Sequence, residues 1–156
     1  MTSKPASGVS SRGLVLVVDD SPEMRALIGD VLTDEGFEVL TAASGHRALR
    51  LMSERRPDLV ITDLLMPGMS GFTLRGEMLH HVDLVHVPVI VLSAFWHRPF
   101  ETLDVVDVIA KPLDLDRLLT VVGRAIEGAD AGGADAVTRR DMGERRRDAG
   151  RIEQEA

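Results

Sequence analysis

The feature that most constrains this chain is a set of five short apolar runs, each separated from the next by a stretch with helical spacing. The runs at residues 14–18, 39–40, 59–61, 89–92 and 105–109 are too short for helices and rich in β-branched residues, as buried strands are. Between the first two, Met24, Leu27, Ile28, Val31 and Leu32 recur at the i, i+3, i+4, i+7, i+8 spacing of a helix that buries one face. Ser21-Pro22 supplies an N-cap and a first-turn proline, and Gly36 supplies the stop. Ala48, Leu51 and Met52 mark a second helix, residues 72 to about 81 a third, and Leu115, Leu118, Leu119, Val122 and Ile126 the last. Strands alternating with helices predict right-handed βαβ units, and so a doubly wound α/β fold whose five-stranded parallel sheet is covered by helices on both faces. In such a sheet, ligands sit beyond the carboxyl ends of the strands.

The rhythm sets the domain organisation. Residues 1–13 are small, polar and turn-forming and read as a flexible N-terminal tail, and residues 14–128 form one domain. From Gly128 onward the chain has seven acids and six arginines but only Val137, Met142 and Ile152 as sizeable apolar side chains. Residues 129–156 therefore read as a polar tail that cannot offset its own ordering entropy. The net charge of −7, from 18 basic and 25 acidic residues, argues against a nucleic-acid partner. With no cysteine there is no disulfide, thiolate zinc site or cysteine nucleophile. No apolar run approaches the length of a membrane helix and no signal peptide is expected, so the expected location is the cytoplasm, without membrane insertion.

The strand ends carry an unusual set of polar residues. Asp19 and Asp20 follow the first strand, Asp63 ends the third, Ser93 the fourth, and Lys111 the fifth. Singly, each has a plain structural use as a cap, a turn or a solvated loop residue. Together they bring three carboxylates, a hydroxyl and an ammonium to one edge of the sheet. Lys111 stands out further, because the chain has only two lysines, Lys4 and Lys111, against sixteen arginines. Clustered carboxylates repel unless a cation compensates, and oxygen-only ligands suit a hard ion such as Mg²⁺. With a metal and an ammonium beside it, one carboxylate can attack phosphorus and form an aspartyl phosphate. Ser93 is placed to donate to a phosphoryl oxygen.

The segments LVLVVDDSPEMR, DLVITDLLMPGMSGFTL, VPVIVLSA and VIAKPLDLDRLL resemble the receiver domain of two-component response regulators, over residues 14–128. The resemblance implies a flavodoxin-like sheet of order 2-1-3-4-5. It implies Asp63 as the phosphoacceptor, with Mg²⁺ held by Asp20, Asp63 and the Leu65 carbonyl, and by Asp19 through water. Ser93 is implied as the switch hydroxyl and Lys111 as the phosphate-pairing lysine, with a cis bond to Pro112. The implied partners are a histidine kinase or histidine phosphotransfer protein as donor and a downstream protein target. No catalysis is implied beyond the domain's own phosphorylation and dephosphorylation.

Two features depart from the family pattern. Val108 stands where a rotatable aromatic is common, and a β-branched side chain is stiff at χ1. The interval from Ser93 to Lys111 is short and contains Phe95-Trp96 and Pro99, so a short or irregular fourth helix is expected over residues 99–103. Leu65 and Phe95, each two residues past a site residue, are expected to obstruct water and slow loss of the phosphoryl group. The five histidines lack metal-like spacing and are expected at the surface. The reading is a stand-alone, phosphorylation-dependent receiver. The alternative is a receiver-fold interaction module that works without phosphate. A haloacid-dehalogenase-like hydrolase is disfavoured, because Asp19-Asp20 is not a D-x-D motif and the chain has no room for a cap.

Overall fold

In the computed structural model, which describes residues 11–94 and 105–130, the strands are β1 Leu14–Val18, β2 Glu38–Ala42, β3 Leu59–Asp63, β4 Val89–Ser93 and β5 Asp107–Ala110. The helices are α1 Pro22–Asp34, α2 Gly45–Glu54, α3 Gly71–Met78 and α4 Leu115–Asp130. All strand pairs are parallel, in the order β2-β1-β3-β4-β5, as the sequence pattern and the resemblance led us to expect. The three inner strands are buried along their whole length, while β2 and β5 are partly open, which is why only the inner runs read as unbroken apolar stretches.

Strand alternation divides the core into two layers. Val15, Val17, Leu59, Ile61, Ile90, Leu92 and Ile109 face α1 and α4, meeting Ile28, Leu32, Leu118, Val122 and Ile126. Leu16, Val18, Val60, Val89 and Val91 face the other way, onto Ala48 and Met52 of α2 and Leu74 and Met78 of α3. The helices begin where local chemistry satisfies their first N–H groups. Ser21, Ser44 and Ser70 accept from the backbone of Met24, Arg47 and Thr73, and Asp114 accepts from Asp116 and Arg117.

Several boundaries differ from the expectation. Arg12 and Gly13 are tied to the domain. The Arg12 guanidinium lies 4.5 Å above the Phe37 ring and donates to the Glu35 carbonyl, and the Gly13 carbonyl accepts from the Glu38 N–H at 2.9 Å. Helix α3 stops at Met78 rather than near His81. Beyond it the His80 and His81 N–H groups reach back only three residues, and the Arg75 guanidinium takes the carbonyls of Val85 and Val87. The short helix expected at 99–103, the pair Phe95-Trp96, residues 1–10 and nearly all of the polar tail fall outside the described residues. No helix among the described residues is long and apolar enough to cross a membrane.

Candidate phosphoryl-acceptor site

Register brings the polar residues together. Val18 pairs with Thr62, so Asp19 and Asp63 each follow one end of the same sheet row. Asp63 pairs with Leu92, which puts Ser93 one step further along β4, and Ser93 pairs with Ala110, which precedes Lys111. The ladder continues past each strand end. The N–H of Asp19 donates to Ala42, that of Leu64 to Leu92, and that of Lys111 to Ser93, at 3.1, 2.9 and 2.8 Å. Backbone bonds thus place Asp19, Asp63 and Lys111 at the sheet edge before any side chain acts.

The loop after β3 is bent back onto the strand. Gly68 has a φ of 83°, a conformation that favours glycine. The Gly71 N–H returns to the Leu64 carbonyl at 2.8 Å, and a Cβ at position 71 would lie 2.6 Å from the Asp63 carbonyl oxygen. Only glycine permits that approach. Leu65, near the start of this loop, leaves 58% of its surface exposed.

Carboxylate oxygens of Asp19, Asp20 and Asp63 lie within 4.8 Å of one another. Asp63 is buried, and its Oδ1 accepts from the Leu64 N–H at 3.0 Å and pairs with Lys111 Nζ at 3.1 Å. Asp19 is only 1% exposed; its Oδ1 accepts from the Ser21 N–H at 2.9 Å. Its Oδ2 is buried without a hydrogen-bond partner, 3.8 Å from Lys111 Nζ. Burial pushes the Asp19 carboxyl above its ordinary value. The Ser21 N–H opposes that rise, Asp63 and Asp20 add to it, and Lys111 works against it. Asp20 is exposed at the mouth, Ser93 is buried, and the Lys111–Pro112 peptide is cis.

The five strand-end residues therefore share one edge, and the structure adds supports that sequence reasoning missed. Arg25, one turn into α1, donates from Nη1 to the Asp19 carbonyl at 2.7 Å. Thr62 Oγ1 donates to the Asp63 carbonyl at 2.9 Å. Neither had a sequence signal beyond proximity to an acid. Val108 is half-buried against the α2/α3 layer and pairs with Val91. His46, His80, His81 and His86 are exposed, in line with the expected surface role, and His97 lies outside the described residues.

The model of the response regulator receiver domain matches residues 15–123. The chain belongs to the response regulator receiver family. Among curated relatives, it is 39% identical over 132 residues to the sensor histidine kinase TmoS of Ectopseudomonas mendocina, covering 80% of this chain and 13% of that protein. It is 36% identical to the transcriptional regulatory protein GlrR of Escherichia coli, over 81% of this chain and 28% of that one. The chain thus spans a small part of these relatives. Sporulation initiation phosphotransferase F of Bacillus subtilis is 32% identical and is covered over 89% of its length, with 69% of this chain. Solved receivers superpose well. The chemotaxis response regulator CheY4 of Vibrio cholerae has a TM-score of 0.66 at 30% identity, covering 72% of this chain and 97% of that one. TrrA of Thermotoga maritima, solved in complex with Mg²⁺-BeF, has a TM-score of 0.65 at 32% identity, with the same coverages.

Proposed function

We propose that this receiver accepts a phosphoryl group on Asp63 from the phosphohistidine of a histidine kinase or phosphotransfer protein. It then signals by protein–protein contact. The observation that carries the reading is the buried Asp19 Oδ2, which has no hydrogen-bond partner and sits beside two further carboxylates. A buried carboxylate oxygen of this kind is costly unless a cation completes it, and an all-oxygen donor set fits a hard divalent ion. Asp20, Asp63 and the Leu65 carbonyl would hold Mg²⁺, with Asp19 acting through water. When bound, such an ion would neutralise charge on the transferring phosphoryl group.

The chain's own groups do the rest. A carboxylate oxygen of Asp63 attacks phosphorus; the bond to the donor nitrogen breaks, and the electron pair leaves with the imidazole, which regains a proton. Lys111, 3.1 Å from Asp63 Oδ1, is placed to pair with the phosphoryl group once it is on that carboxylate. Ser93 donates its hydroxyl to a phosphoryl oxygen. Switching by an aromatic at position 108 is closed to this chain, because valine stands there, so the response to Ser93 runs through other groups. In this reading the chain catalyses nothing beyond its own phosphorylation and dephosphorylation, and its setting is the cytoplasm.

Intact mass after incubation with acetyl phosphate and Mg²⁺ tests the reading. One phosphoryl adduct on the wild type and none on Asp63→Asn is the expected result. Absence of an adduct on both would favour a module that binds its partner without phosphate, the reading to which Val108 lends support.

A further inference from the structure

The segment joining β2 to α2 touches both Asp19 and the loop that follows Asp63. On one side, the Ala42 carbonyl accepts the Asp19 backbone N–H at 3.1 Å. On the other, Gly45 opens α2 and leaves a notch that Met69 fills. A Cβ at position 45 would lie 2.5 Å from Met69 Sδ, 2.9 Å from its Cγ and 3.0 Å from its Cβ. The two contacts under 3.0 Å are to Sδ and Cγ, the atoms that truncation to alanine removes, while the contact to Cβ at 3.0 Å asks for only a small shift. Gly45 does not have a positive φ, so backbone freedom is not what the position requires. Alanine is the better helix former in general, and the space taken by Met69 explains the glycine.

Met69 is 6% exposed and belongs to the 64–70 loop, whose ends are fixed by the bonds from Leu64 to Leu92 and from Gly71 to Leu64. Between those ends the loop carries Leu65. We propose that Met69 seated in the Gly45 notch is a positioning contact for the metal site. It sets where the 64–70 loop, and with it the Leu65 carbonyl, stands relative to Asp19, which the same segment holds through Ala42. The inference rests on the reading of this site as a Mg²⁺-dependent phosphoacceptor.

A double-mutant cycle on the full chain tests it, using Gly45→Ala, Met69→Ala and the pair. Mg²⁺ binding is measured by calorimetry with no phosphodonor, and melting temperature alongside it. Gly45→Ala should weaken Mg²⁺ binding about tenfold when Met69 is present and less than about twofold when position 69 is alanine. Met69→Ala alone should weaken binding severalfold, which keeps the test decisive if Gly45→Ala does not fold. Ala48→Gly, in the same helix, should lower the melting temperature and leave Mg²⁺ affinity unchanged. Equal effects of Gly45→Ala in both backgrounds, or unchanged affinity in Met69→Ala, would overturn the inference. No Mg²⁺ binding by the wild type would instead defeat the underlying reading of the site.

Discussion

Replacing Asp19 by asparagine should make the metal-free protein more stable, even though it removes a buried ion pair. The Lys111 ammonium lies 3.8 Å from Asp19 Oδ2, an attraction of about 4 kcal/mol at an effective dielectric of about 20. A carboxylate oxygen of Asp63 lies within 4.8 Å and repels by a similar amount, so the two contributions nearly cancel. What remains is the extra cost of burying a full charge over a neutral amide where no hydrogen-bond partner is offered, about 1–3 kcal/mol. Asparagine keeps the shape and removes the charge. The melting temperature in EDTA should rise by roughly 5 °C. The gain has a defined pH dependence. Burial holds the Asp19 carboxyl above 3.8, so its penalty is absent below that pH, grows as pH rises toward the raised value, and is complete above it. Mg²⁺ should stabilise the wild type, by about 2.7 kcal/mol at a hundred times its Kd, and the mutant markedly less. Thermal melts with and without Mg²⁺, at pH 4 and pH 7, read all of this. An Asp19→Asn protein less stable than the wild type in EDTA at pH 7 would refute the reasoning.

Three other substitutions have clear expected outcomes. Gly71→Ala puts a carbon 2.6 Å from the Asp63 carbonyl oxygen and should cost about 1–3 kcal/mol in a urea melt, with slower phosphorylation from acetyl phosphate. Arg75, 4% exposed and bound to the Val85 and Val87 carbonyls, should lose about 3 kcal/mol on replacement by methionine, while Mg²⁺ affinity stays unchanged. Leu65→Asn, which swaps an exposed apolar side chain at the site for a polar one, should speed loss of the phosphoryl group severalfold; decay of the phosphorylated mass over time reads the rate, and an unchanged rate would show that Leu65 does not shield the site.

The sequence announced the inner strands and the site unevenly. Runs such as Leu59 to Ile61 are legible because burial on both faces leaves no polar position to blur them. The edge strand β2 showed only Val39 and Leu40, because one of its sides is open and Thr41 is exposed. The five polar residues were legible as a set because strand ends in a parallel sheet share one edge, so spacing alone carries their proximity. The supports were not legible in the same way. The bond from Arg25 to the Asp19 carbonyl and the seating of Met69 on Gly45 depend on how a helix and a loop settle against each other, which no periodicity encodes. The end of α3 was misjudged for a related reason, since Arg75 turns inward to cap later carbonyls and takes the chain out of the helix.

The most direct test of the phosphoacceptor assignment is to locate the adduct. The protein is phosphorylated with acetyl phosphate in Mg²⁺, the acyl phosphate is reduced with borohydride, and peptides are sequenced by mass spectrometry. Homoserine at position 63, with Asp19 and Asp20 intact, is the expected result. Reduction at Asp19 or Asp20, or none in a protein that binds Mg²⁺, would contradict the assignment of Asp63.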